Sequence, residues 1–274
     1  MLVNLKTILE IAEKKKIAVG AFNTPNVTSA RAIIKAAEEL GQPVIIMHAQ
    51  VHEEMGLCCM EEVIPFMLLF AKRATVPVCV HLDHGTDLDY VKRGLALGFT
   101  SVMYDGSALP EEENTSNTKQ VVALAKETGA SVEAEIGSMG AGEGGGEGSS
   151  IYTDPVVAAA FVAETGIDAL ACAFGTAHGF YKAAPKLDFE RLSEIERRIA
   201  VPIVMHGGSG VSEADYREVI NRGVRKINYY TYMAKAGAEA LSNKSYAQFH
   251  DALLDAEKAM CANVKQAITV FSNL

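Results

Sequence analysis

The chain has 274 residues, 49% of them hydrophobic and 22% charged, with a formal net charge of -9. This is apolar material enough for one large core and excludes a disordered chain, while the scattered basic residues, densest at Lys14-Lys15-Lys16, exclude the basic stripe of a nucleic-acid surface. The longest apolar run, around Val63 to Ala71, is too short to span a membrane, and Lys6 and Glu10 interrupt what would be the apolar region of a signal peptide, so a cytoplasmic protein is expected.

In chain order, short β-branched runs recur, each followed by a loop and an amphipathic segment. Strands are predicted at Ile17–Phe22, Val44–Met47, Val78–Leu82, Ser101–Tyr104, Ser131–Ile136, Ala169–Phe174, Ile203–Met205 and Lys226–Asn228. Pro43, Pro77 and Pro202 precede strands, and Gly98, Gly129, Gly166 and Gly223 end the helical segments before them. Eight strand–helix units with nearly continuous apolar strands predict an α/β fold, a (β/α)8 TIM barrel forming a single domain over 1–274 and closed by C-terminal helices over 231–274. No GxGxxG follows the first strand, as an open dinucleotide-binding sheet would require. The five cysteines, Cys58, Cys59, Cys79, Cys172 and Cys261, include no CxxC and read as reduced thiols.

One segment breaks the rhythm. Residues 137–150, GSMGAGEGGGEGSS, read either as a disordered insertion or as a mobile loop on the catalytic face of the barrel.

Side chains at the C-terminal ends of barrel strands converge on one site. Here those ends carry Asn23, Asp83, His84, Asp105, Glu135, His178, His206 and Asn228. A lone histidine at a strand end is commonly a hydrogen-bonded structural residue, but three in register with carboxylates between them point to a metal with an open coordination position. His178 lies in GTAHGFYK and His206 in MHGGSG, where glycines let backbone N–H groups approach an anion. Ser209 and Thr231 could add hydroxyls to such a phosphate cradle, though glycines for tight turns and threonine as a helix cap are equally ordinary uses.

The motifs HLDHG, SVMYDGS, SVEAEIG, GTAHGFYK, VPIVMHGGSG and KINYYT, in this order, resemble the class II, metal-dependent fructose- and tagatose-bisphosphate aldolases over residues 1 to 240. The resemblance implies a catalytic Zn2+ on His84, His178 and His206, and leaves open a second divalent or a monovalent cation, with Asp105 and Glu135 at a second or alternative metal position. It implies Asp83 as the acid/base at the hydroxyl beside the bond that is cut and Glu143 as the loop group that moves the enediolate proton. Asn23 and Asn228 would bind substrate, and Gly179, Gly207, Ser209 and Thr231 the first phosphate. The expected reaction is reversible cleavage of a ketose phosphate to dihydroxyacetone phosphate, or dihydroxyacetone, and an aldehyde by a homodimer or homotetramer. A metal-dependent epimerase or isomerase and a non-catalytic partner subunit are the alternatives. Aldol cleavage suits a Lewis acid, since the alternative is a Schiff-base lysine, and Lys226 is expected away from the catalytic rim.

Three departures bear on the substrate. Ala49 stands where relatives carry a serine, Tyr230 where a small or acidic residue is usual, and residues 231–274 contain no arginine. The serine and arginine serve the distal phosphate in the family, so the substrate is expected to lack that phosphate or to carry another group there, with His48, His52 or C-terminal lysines as replacement contacts. Tyr230 is expected either to fill the first phosphate pocket or to turn outward against the last helix. His81 is read as support for the metal ligands.

Overall fold

The computed structural model describes residues 1–137 and 152–274. A two-residue strand, β1 (Leu2–Val3), and helix α1 (Leu5–Lys15) precede eight parallel strands: β2 (Val19–Asn23), β3 (Val44–Ala49), β4 (Val78–Gly85), β5 (Ser101–Tyr104), β6 (Ser131–Ile136), β7 (Ala169–Cys172), β8 (Ile203–Met205) and β9 (Val224–Asn228). The pairings run from β4 through β3, β2, β9, β8, β7 and β6 to β5, which pairs back with β4 and closes the barrel. The crossovers hold α2 (Val27–Leu40), α3 (Gln50–Glu54) with α4 (Met60–Arg73), α5 (Leu88–Leu97), α6 (Glu111–Thr128), α7 (Pro155–Thr165), α8 (Phe189–Arg198) and α9 (Glu213–Asn221); α10 (Thr231–Leu241) and α11 (Phe249–Phe271) complete the wall.

The expected barrel is present, and the boundaries differ for local reasons. Ile17 and Ala18 donate their N–H groups to Ala12 and Phe271, not to a neighbouring strand, so β2 starts at Val19. The unpredicted β1 pairs with Val78 and Cys79, below the point at which β5 reaches β4. Gly98, Gly129 and Gly166 cap their helices in the left-handed conformation, as expected from their places in the sequence.

Strand alternation divides the core in two. Outward residues such as Val78, Val80 and Leu82 pack under the helices, whereas Val19, Ala21, Ile45, Met47, Cys79, Ala169, Ala171 and Val204 fill the barrel. Leu5, Ile8, Leu9 and Ala12 of α1 join this inner cluster and plug the barrel at the N-terminal end of its strands. Among the described residues no helix is long and apolar enough to cross a membrane.

Candidate metal centre and active site

Regular pleating would send Asp83 and His84 to opposite faces of β4. The register of β4 against β5 shifts between Leu82 and Gly85, and His84 has φ 49, a left-handed conformation uncommon for a residue with a side chain. Both side chains therefore enter the barrel mouth. His84 directs Nε2 at Nδ1 of His206, 2.8 Å away. His178, on the loop after β7, brings its ring centroid to 5.0 Å from that of His84, and one nitrogen of each histidine lies within 4.8 Å of the others.

The outer nitrogens fix the tautomers. His84 Nδ1 donates to Asp105 Oδ2 at 2.7 Å, and His206 Nε2 donates to Glu133 Oε1 at 2.9 Å. His84 Nε2 and His206 Nδ1 then present lone pairs to each other, which requires a positive charge between them, a proton or a metal ion. The surroundings demand the same charge: burial would lower the His84 pKa, but the carboxylates of Asp83, Asp105 and Glu135 outweigh it and hold it up to about 10. Glu135, pushed up to about 8 by burial and then by Asp105, has a buried Oε2 with no hydrogen-bond partner, 4.0 Å from His206 Nδ1. This donor set fits a divalent cation. His84, Asp105 and Glu135 form a second group within 4.8 Å, although Asp105 is already engaged by His84 and by the Ser107 hydroxyl at 2.6 Å.

Asp83 sits beside these histidines with each oxygen held by an amide, Asn23 Nδ2 at 3.1 Å and Asn228 Nδ2 at 3.0 Å. Burial opposes its ionisation, but neighbouring positive charge, foremost on His84 and then on Lys226, prevails and keeps the carboxyl far below its ordinary range. Asn228 Oδ1 is buried without a hydrogen-bond partner.

Beneath the mouth lies a polar layer. Lys226, one strand period below Asn228, is fully buried and reaches Glu133 at 2.8 and 3.0 Å, so its amine is committed to an ion pair. Its location agrees with the expectation that it lies off the catalytic rim. His81 bonds to Ser101 Oγ at 2.8 Å and approaches Lys226 at 3.5 Å, making it a neighbour of the Lys226–Glu133 pair. Glu133 had no assignment from sequence, although the alternation in SVEAEIG puts it on the same face as Glu135.

The glycine loops after β7 and β8 meet. Gly207 has φ 62, and a Cβ there would lie 2.3 Å from the Ala177 carbonyl oxygen. Tyr181 ties the loops by accepting the Ala177 N–H and donating to the Gly207 carbonyl, both at 2.8 Å. Ser209 Oγ accepts the Tyr230 N–H at 3.1 Å, and Thr231 opens α10, whose N-cap residue Tyr230 makes no side-chain capping bond. Gly179, with φ 88, follows His178 on the same rim.

Of the residues at the departures, Ala49 ends β3 opposite Asp83. His48 faces the helix layer, bonding to the Tyr90 hydroxyl at 3.0 Å, because pleating puts Met47 and not His48 on the inner face; it is not a replacement contact for substrate. The Tyr230 ring lies against His52, centroids 5.0 Å apart. Glu143 and the rest of the glycine-rich segment from 138 onward lie outside the described residues.

The model of the class II fructose-bisphosphate aldolases matches residues 3–274. The chain belongs to this family. A sulfofructosephosphate aldolase from Alkalicoccus urumqiensis is 39% identical, over 98% of this chain and 96% of that protein. A 6-phospho-5-dehydro-2-deoxy-D-gluconate aldolase from Halalkalibacterium halodurans is 42% identical, over 88% of this chain and 84% of its own. Among solved structures, the YdjI aldolase of Escherichia coli superposes with a TM-score of 0.89 at 34% identity, covering 99% of this chain and 97% of the other. This class II aldolase is thus an enzyme of carbon–carbon bond cleavage built on a TIM barrel.

Proposed function

We propose that this class II aldolase binds Zn2+ through His84, His178 and His206 and cleaves a ketose carrying one phosphate into dihydroxyacetone phosphate and an aldehyde. The observation that carries the reading is the approach of His84 Nε2 to His206 Nδ1 at 2.8 Å, a pair that needs a positive charge between its rings, beside a carboxylate held ionised. When bound, the ion supplies the Lewis acidity that polarises the ketose carbonyl. Asp83 accepts the proton of the hydroxyl on the aldehyde side of the breaking bond, with both its oxygens aimed by Asn23 and Asn228. Asn228 keeps its own buried oxygen for a substrate hydroxyl. The resemblance gives the remaining proton transfer to Glu143.

Gly179, Gly207, Ser209 and Thr231 are proposed to cradle the phosphate, using the uncapped start of α10 and a glycine loop that tolerates no Cβ. The Tyr230 ring packs on His52, and a ring so engaged supports a phosphorylated donor. The loss of the distal serine and arginine supports a single phosphate, and two relatives are named for substrates with one phosphate. The family implies a homodimer or homotetramer. Zinc-loaded protein should be screened against ketoses bearing no, one or two phosphates, with aldehyde release measured and His84→Ala as control. Release from none of them removes the aldolase reading, and an isomerised ketose without aldehyde supports an epimerase or isomerase.

A further inference from the structure

His52 is the inward-facing residue of α3, and the chemistry above does not use it. Its side chain is 6% exposed and its Nδ1 is buried without a hydrogen-bond partner. An orphaned buried ring nitrogen is a standing penalty that a ligand can relieve. The helix carrying it is clamped on both sides: Gln50 accepts the Thr86 N–H at 2.9 Å, while Glu53 accepts from Arg93 at 2.7 Å and from the Tyr90 hydroxyl at 3.1 Å. Its backbone is therefore held before any ligand arrives.

Three observations put His52 next to the aldehyde half of the substrate. Helix α3 begins directly after Ala49, which is paired with Asp83 across the sheet. Burial lowers the His52 pKa, and the Asp83 carboxylate is near enough to oppose part of that effect. The Tyr230 ring packs on the imidazole, so this wall includes the residue that opens into α10. A group beside Asp83 and on this wall meets the carbons beyond the hydroxyl that Asp83 deprotonates.

Resting on the aldolase reading above, we propose that His52, held by Tyr230, is a specificity-determining residue that hydrogen-bonds through Nδ1 to a hydroxyl on the carbon adjacent to the aldehyde carbon. A buried neutral imidazole recognises a hydroxyl, which can donate or accept, where a guanidinium would select an anion. The same small site that lost a serine thus acquired a neutral reader in place of a phosphate contact.

The test is condensation of dihydroxyacetone phosphate with glyceraldehyde or with 3-hydroxypropanal, which lacks that hydroxyl. The ratio of the two kcat/KM values cancels any loss common to both acceptors. Wild type is expected to favour glyceraldehyde about tenfold or more, the scale of one buried hydrogen bond. His52→Ala should bring the ratio to about threefold or less, and His52→Asn, which keeps a polar atom near the Nδ1 position, should restore it. A wild-type ratio near unity, or a ratio unchanged in His52→Ala, overturns the inference. Exchange of the dihydroxyacetone phosphate methylene proton with deuterium oxide, without acceptor, tests the aldolase reading separately. Its absence in wild type removes that reading and this inference together, while exchange with an unaltered ratio removes the inference alone.

Discussion

Nε2 of His84 and Nδ1 of His206 face each other at 2.8 Å while the other nitrogen of each ring is committed to a carboxylate. The two inner nitrogens so arranged need a positive charge between them, which a proton on His84 or a bound dication supplies. Chelation is therefore expected to abolish aldehyde release and lower Tm, with zinc restoring both. Zinc at a hundredfold excess over its Kd adds about 3 kcal/mol. Metal analysis should find zinc bound to wild type and lost from His84→Ala.

The buried Lys226–Glu133 pair separates stability from chemistry. Lys226→Met leaves Glu133 ionised without its counter-ion and is expected to cost about 3–5 kcal/mol in urea unfolding. Adding Glu133→Leu should recover most of that loss. It should not recover activity, because Glu133 also fixes the tautomer of His206.

His48 gives a pH dependence away from the metal centre. Burial, partly opposed by Glu53, lowers its pKa from 6.5 to about 4. A histidine whose folded pKa is depressed contributes stability that is complete above its unfolded value and is lost as pH falls through the folded one. Between pH 6.5 and 4 it should withdraw up to about 3 kcal/mol. Denaturation across this window should show His48→Gln falling less steeply than wild type; parallel curves would contradict the assignment.

Gly207→Ala should damage the phosphate cradle. The left-handed backbone alone costs about 1–2 kcal/mol, and the new Cβ would press on the Ala177 carbonyl from 2.3 Å. The expected signature is a raised KM for the phosphorylated ketose together with a lowered Tm.

The strands and histidines were legible because each polar residue ends an apolar run, a contrast visible in one dimension. The geometry of HLDHG was not. Simple alternation puts Asp83 and His84 on opposite faces, and only the shifted register and the left-handed turn at His84 bring them together. His48 and His52 look equivalent as replacement contacts in sequence; the pleat at Met47 and the turn of α3 separate an outward structural residue from an inward one. Glu133 and Lys226 escaped notice as a pair because 93 residues separate them and only barrel closure makes them neighbours.

The plug formed by α1 makes the barrel a blind well. Among the described residues, whatever reaches the histidines, whether sugar, ion, chelator or water, enters by the doorway through which products leave. Traffic at such a doorway is sequential, so an occupied mouth should shelter the ion beneath it, and metal stripping should slow as ketose concentration rises.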